Sequence, residues 1–60
     1  MYKIFVFDKD WKLYAYVSHL RKKERMFIKQ CLEQGKGIRI TKRGVIVYQR
    51  GTDIEIGNDL

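Results

Sequence analysis

A length of 60 residues is the feature that most constrains what this chain can fold into. A domain of that size buries only about 60% of the surface that its unfolded chain exposes, so there is room for one small core. Disulfides often support such a core, but a single Cys excludes an intramolecular disulfide framework. A hydrophobic content of 45% is too high for a disordered chain. We therefore expect one domain over residues 1–60 that folds by packing apolar side chains.

The first half of the sequence predicts a β-hairpin followed by a helix. Residues Tyr2–Phe7 and 13–17 are rich in β-branched and aromatic side chains, which predicts two strands within a hairpin over residues 1–17. The hydrophobic period then becomes helical, and we expect a helix over residues 18–35. Ser18 is the candidate N-cap of this helix, because its hydroxyl can accept a hydrogen bond from a free backbone N–H.

The second half predicts another hairpin, over residues 37–56. Strands are expected at 38–41 and Val45–Arg50, with a short extra strand as an option at 52–56 and a frayed tail at 57–60. The order ββαββ defines an α+β fold in which an antiparallel sheet of four, or optionally five, strands carries one helix across one face.

Alternation along the strands predicts two different sheet faces. One face is aliphatic, with Leu13 among its residues, and should meet the helix. The apolar stripe of the helix includes Ile28 and Cys31, the latter as a buried, unreactive thiol. The other face should combine basic side chains with five aromatic ones. These aromatic residues are Phe5, Phe7, Tyr14, Tyr16 and Tyr48.

Three interpretations of the aromatic face remain open. It can serve as a platform on which single-stranded bases stack while cations hold the phosphates. It can be buried in a homodimer or against another protein, since a monomer seldom exposes so large an apolar patch. A strongly twisted sheet could also fold part of this face into a single core.

Basic residues are concentrated in the middle of the chain. Nine of the thirteen Lys and Arg residues lie between positions 21 and 43, where Glu24 and Glu33 are the only acids. Such a patch attracts polyanions, although a merely solvated helix face is the alternative. The residues predicted to contact nucleic-acid phosphates are Arg21, Lys22, Arg25, Lys29, Arg39, Lys42 and Arg43.

Two exposed apolar side chains are candidate anchors for a partner. Trp11 falls in the expected turn at 8–12, at a point where Gly with positive φ is common, so it either packs back on the sheet or contacts a partner. Met26 falls on the polar side of the helix, where a soft thioether can contact another protein.

The sequence offers little for catalysis or metal binding. His19 is the sole imidazole, and no acid or nucleophile is placed to work with it. His19 and Cys31 lack the additional closely spaced ligands of a zinc site. We expect no enzyme activity, no cofactor and no metal.

These observations favour a small, basic, non-catalytic nucleic-acid-binding protein with a regulatory or architectural role. DNA is slightly favoured over RNA, because binding duplex phosphates requires no special pocket. We expect a cytoplasmic homodimer that does not attach to membrane. The alternative is an accessory protein, of the type phages and mobile elements encode, that binds and inhibits or redirects a host protein.

Overall fold

One four-stranded sheet and one helix make up the fold of this chain, as a computed structural model describes it over residues 1–58. The prediction of an α+β, ββαββ fold is confirmed, because the sheet has the order β2-β1-β3-β4 with every neighbouring pair antiparallel. The elements are β1 (Tyr2–Phe7), β2 (Trp11–Val17), α1 (Lys22–Glu33), β3 (Gly37–Lys42) and β4 (Val45–Arg50).

The core lies between the two central strands and the helix. Ile4 of β1 pairs with Ile40 of β3, and both side chains are at most 1% exposed. Ile28 and Cys31 of α1 are also buried in this cluster, as the helical period predicts. Since β1 and β3 come from different hairpins, their pairing joins the two halves of the chain into one core.

The helix begins later than predicted, and Ser18 is not its N-cap. Arg21 occupies that position, and its backbone N–H donates to Glu24 Oε1 at 2.9 Å. A carboxylate in the first turn satisfies a free N–H and interacts favourably with the helix dipole. Ser18 instead has its hydroxyl 3.0 Å from Nδ1 of His19. The position of the acid, three residues after Arg21, therefore decides where α1 starts.

A Schellman motif at Gly35 ends the helix, so that α1 stops at Glu33, two residues before the predicted bound. Gly35 has φ of +81°, and the N–H of Lys36 donates to the Cys31 carbonyl at 3.0 Å. Such a left-handed residue is accommodated most easily by Gly.

A β-bulge in each hairpin reverses the alternation that the sequence predicts. Ile4 pairs with Ala15 and Phe5 with Leu13, so Tyr14 is an extra residue on β2. Likewise Ile40 pairs with Tyr48 and Thr41 with Ile46, which leaves Val47 as the extra residue on β4. Side chains beyond such a residue change face relative to an unbroken strand.

The bulges correct three predicted side-chain placements. Tyr48 is only 6% exposed and belongs to the core on the helix side. Tyr14 also lies on the helix side, where its ring stacks on Phe27 with centroids 3.9 Å apart. Leu13, expected to face the helix, pairs with Phe5 and lies on the opposite face.

The connections differ from the predicted ones in detail. The turn between β3 and β4 consists of Arg43 and Gly44, with φ of +54° and +77°, which is the geometry of a type I′ hairpin turn. Residues 52–56 do not form a fifth strand but a loop that returns to β4 at one bridge, between Gln49 and Ile56. Part of the expected tail, residues 59–60, lies outside the described residues.

Candidate nucleic-acid interface

A basic groove lies where the start of the helix meets the start of β1. Four of the predicted phosphate contacts line it: Arg21, Lys22, Arg25 and Lys42. The groove has a volume of about 720 Å³, and no carboxylate is among its lining residues. Its cations are therefore not neutralised by neighbours within the groove.

Strand register explains why Lys42 joins the helical cations. Lys42 pairs with Tyr2 across β1 and β3, and its Nζ lies 5.1 Å from the centre of the Tyr2 ring. The segment between β2 and α1 passes the same end of the sheet and brings Arg21 to the groove, and Arg25 follows one turn later on α1. Glu24 also lies at the start of α1, where its carboxylate accepts from the Arg21 backbone N–H, but it does not line the groove.

The other three predicted phosphate contacts lie elsewhere. Lys29 is exposed on α1 and does not line the groove. Arg39 lies on the face of the sheet opposite the helix, with Cζ 4.2 Å from the centre of the Trp11 ring. Arg43 is at the hairpin tip and lines a shallow hollow with Lys3 and Tyr16. The predicted set thus separates into one group of four in the groove and three residues at other places on the molecule.

We call the face of the sheet away from the helix the open face. Phe5, Phe7 and Tyr16 lie on it, as predicted, and Lys3 Nζ is 5.9 Å from the Tyr16 ring centre. Tyr14 and Tyr48 are absent from it because of the bulges. Trp11 joins it instead, with its ring centroid 5.2 Å from that of Phe7.

Trp11 is the first residue of β2 rather than part of a turn that needs positive φ. Among residues 1–58 only one residue other than glycine has positive φ, namely Arg43, so the expected glycine-like conformation of Trp11 is wrong. Trp11 pairs with Phe7 in the hairpin and packs back on the sheet, which was one of the two predicted options. Its half-buried indole still reaches the surface.

The sequence did not predict a hydrogen-bond network that lies on the open face. Gln49, only 5% exposed, accepts from Arg39 Nε at 2.8 Å. Its amide nitrogen donates to Thr52 Oγ1 at 3.0 Å and to the Ile54 carbonyl at 2.9 Å. The network holds the 51–56 loop against β4 and orients Arg39. An isolated Gln in a strand carries no signal in the sequence that would reveal this role.

The remaining candidate residues are widely separated. Met26 is 53% exposed on the outer side of α1, so it lies on the opposite side of the sheet from Trp11. Cys31 is buried in the core, and burial raises the pKa of its thiol although nearby Lys36 acts in the opposite direction. Within residues 1–58 no group of three or more His, Cys, Asp or Glu side chains is arranged to hold a metal ion.

Comparison with known proteins identifies no relative: no family model, curated protein or solved structure matches this chain. In the part of the chain that the structure describes, no helix is long and apolar enough to cross a bilayer.

Proposed function

We propose that this protein is a non-catalytic nucleic-acid-binding protein whose basic groove holds backbone phosphates. The observation that carries the proposal is the convergence of Arg21, Lys22, Arg25 and Lys42 on one groove that no carboxylate lines. Guanidinium and ammonium groups are the side chains that most often contact phosphate oxygens. Binding of this type releases counterions from the nucleic acid and is strongly dependent on salt.

The shape of the groove supports contact with the backbone rather than with base edges. It is open and shallow, and it runs past the start of α1 instead of presenting a protruding helix for insertion into a major groove. Such contacts position a nucleic acid without reading its sequence, which suits a regulatory or architectural role. DNA remains slightly favoured as the target, because a duplex presents regularly spaced phosphates to four cations.

The test is a titration of duplex DNA, single-stranded DNA and RNA at several salt concentrations. If the four groove cations each contact one phosphate of a duplex, the slope of log K against log salt should be about −3.6. Absence of binding to all three nucleic acids at low salt would contradict the proposal.

Single substitutions test whether the nucleic acid binds at the groove. Lys42→Gln and Arg25→Gln should each make the salt slope less steep by about 0.9. Lys9→Gln is the matched control, since it removes one charge from the exposed turn at the other end of β1. Equal weakening by all three substitutions would indicate a response to net charge alone and would contradict a localised site.

The second candidate function is protein binding through the open face, by a second copy or by a host protein. It is favoured by three side chains of that face, since Phe7, Leu13 and Tyr16 are 37%, 55% and 59% exposed. Trp11 could join such a contact, whereas Met26 could not, because it lies on the opposite side of the molecule. The cytoplasmic location stays a prediction that accompanies both functions.

Sedimentation measures this second function directly. A homodimer formed through the open face should dissociate in Leu13→Ser and Tyr16→Ser and persist in Met26→Ser, which changes an equally exposed apolar side chain on the other side. A monomer at all concentrations would contradict the homodimer and leave the open face accessible to other ligands.

A further inference from the structure

One end of the open face contains a hollow that the basic groove does not include. Its volume is about 440 Å³, within the range of roughly 300–1,000 Å³ that small-ligand sites occupy. Phe7 and Trp11 supply aromatic walls, and Arg39, Thr52 and Asp53 supply polar groups. A concave site that combines aromatic walls with a few polar groups is typical of sites for planar ligands.

Three walls of the hollow converge on a glycine in β3. A Cβ atom on Gly37 would lie 3.0 Å from Thr52 Cγ2, 3.2 Å from Phe7 Cβ and 3.5 Å from Trp11 Cη2. The absence of a side chain here lets the indole and the 51–56 loop approach the strand closely. Phe7, Trp11 and Thr52 therefore pack closely around this glycine, which holds these walls of the hollow in place.

Arg39 is oriented in advance of any ligand. Its Nε donates to Gln49 Oε1 at 2.8 Å, and its guanidinium stacks on Trp11 at 4.2 Å. Gln49 is itself fixed by Thr52 and the Ile54 carbonyl. The two Nη groups of Arg39 have no hydrogen-bond partner among residues 1–58, so a planar pair of donors is available.

Asp53 determines which ligand suits this pair of donors. Asp53 lines the same hollow, and its carboxylate has neither a hydrogen bond nor an ion pair among the described residues. The negative charge of Asp53 would repel a simple anion such as phosphate. The hollow therefore suits a planar group that offers acceptors to Arg39 and donors to Asp53.

We propose that the hollow binds a guanine base from an unpaired nucleotide. This proposal rests on the proposed function, because its ligand is also a nucleic acid. Guanine O6 and N7 accept two hydrogen bonds from a guanidinium, and its N1–H and N2–H groups can donate to a carboxylate. Adenine presents a donor at N6 where guanine has an acceptor. Cytosine likewise presents its N4 donor, and uracil lacks a second acceptor beside O4.

The experiment is an NMR titration of the full chain with guanosine, adenosine, cytidine and uridine 5′-monophosphates. The indole N–H signal of Trp11 reports directly on the hollow, because the chain has one Trp. Guanosine monophosphate should shift this signal saturably, and the other three should bind at least about fivefold more weakly. Inorganic phosphate should not shift it. Equal affinities for the four nucleotides, or a shift caused by phosphate alone, would overturn the proposal.

Two substitutions test the assigned contacts. Asp53→Asn should reduce the preference for guanine to less than about twofold, because the amide replaces one of the two acceptor oxygens with an NH2 group that would face a guanine donor. Glu55→Gln is the matched control on the same exposed loop and should leave the preference intact. Arg39→Lys retains the charge but not the planar pair of donors, and it should weaken guanine binding at least fivefold, whereas Arg43→Lys should not. Unchanged guanine preference in both Asp53→Asn and Arg39→Lys would overturn the assignment.

Failure of this proposal is distinguishable from failure of the basic groove. The groove is tested by the salt slope of polymer binding and by Lys42→Gln, and the hollow is tested by mononucleotides at constant salt. Polymer binding without guanine preference would overturn the hollow alone. Guanine binding at Trp11 without polymer binding at low salt would overturn the groove alone.

Discussion

The two faces of the sheet differ in how their aromatic and aliphatic side chains are used. On the helix side, Ile4, Ile38 and Ile40 are at most 1% exposed and pack into one continuous core. On the open face, Trp11 and Arg39 are only half-buried and lie against each other beside a hydrogen-bonded loop. The first face forms a closed core in which isoleucines pack with Cys31 and Tyr48, whereas the second leaves rings, a cation and an amide network close to the surface.

This difference indicates that folding and the proposed binding at the open face depend on separate sets of residues. Burial of aliphatic surface against α1 supplies most of the stability available to so short a chain. The open face can keep polar groups near rings because it does not have to form the core. Substitutions on the two faces should therefore have different consequences, even between residues of one type.

The largest expected contrast is between two tyrosines that the sequence assigns to one face. Tyr48→Ala should lower the free energy of unfolding by about 3–5 kcal/mol, because it removes a buried ring from the core. Tyr16→Ala should lower it by less than about 1 kcal/mol, since that ring is 59% exposed. Urea denaturation followed by circular dichroism measures both values.

A comparable loss of stability in the two variants would contradict the separation of the faces. If Tyr48→Ala is too unstable to fold, Tyr48→Leu retains apolar bulk in the core and still permits the comparison with Tyr16→Leu. The core variant should again be the less stable one.

A smaller contrast is expected between two glycines with left-handed backbone. Both Gly51 and Gly44 have positive φ, so Ala at either position should cost about 1–2 kcal/mol. A Cβ at Gly51 would also lie 2.6 Å from the Lys36 carbonyl oxygen, whereas nothing lies within 4 Å of one at Gly44. Gly51→Ala should therefore lower the denaturation midpoint further and shift the Trp11 signal, because the loop beside the hollow must move. Equal midpoints would show that the loop contributes nothing to the packing of the open face.

The smallest expected effect is a change of stability with pH on the helix side. Because burial raises the pKa of the Cys31 thiol, the folded state holds this proton more tightly than the unfolded state does. The free energy of unfolding should fall as the pH rises above about 8.5, and this decline should level off once the folded thiol ionises. Cys31→Ala should remove this component, as denaturation between about pH 8 and 10 would measure. An unchanged pH dependence in the variant would contradict the assignment.

Local patterns predicted most of the elements correctly. The bounds of β1 and β4 agree with the structure, and the helical stripe correctly placed Ile28 and Cys31 in the core. A turn predicted at Lys42, Arg43 and Gly44 is correct in place but one residue too long, because Lys42 is the last residue of β3. These features depend on neighbours within a few residues, so they can be predicted from the sequence.

The two proposed sites, the groove and the hollow, were harder to predict, because their residues come together across strands. The groove depends on the register of Tyr2 with Lys42, and the hollow depends on Gln49 contacting both Arg39 and Thr52. Basic composition predicted that phosphate contacts would exist but grouped Arg39 and Arg43 with cations that lie elsewhere. Charge counts carry no information on which side of a sheet a side chain lies.

The sequence by itself determined the α+β class, the two hairpins, the helix and the excess of positive charge, because hydrophobic period and composition are properties of short segments. Only the tertiary structure decided the strand order, the two bulges and the faces of Tyr14 and Tyr48. The physical reason is that a strand has a fixed alternation only while its pairing is unbroken. One extra residue moves its neighbours to the other face, and packing between the two hairpins and α1 decides where that residue is accommodated.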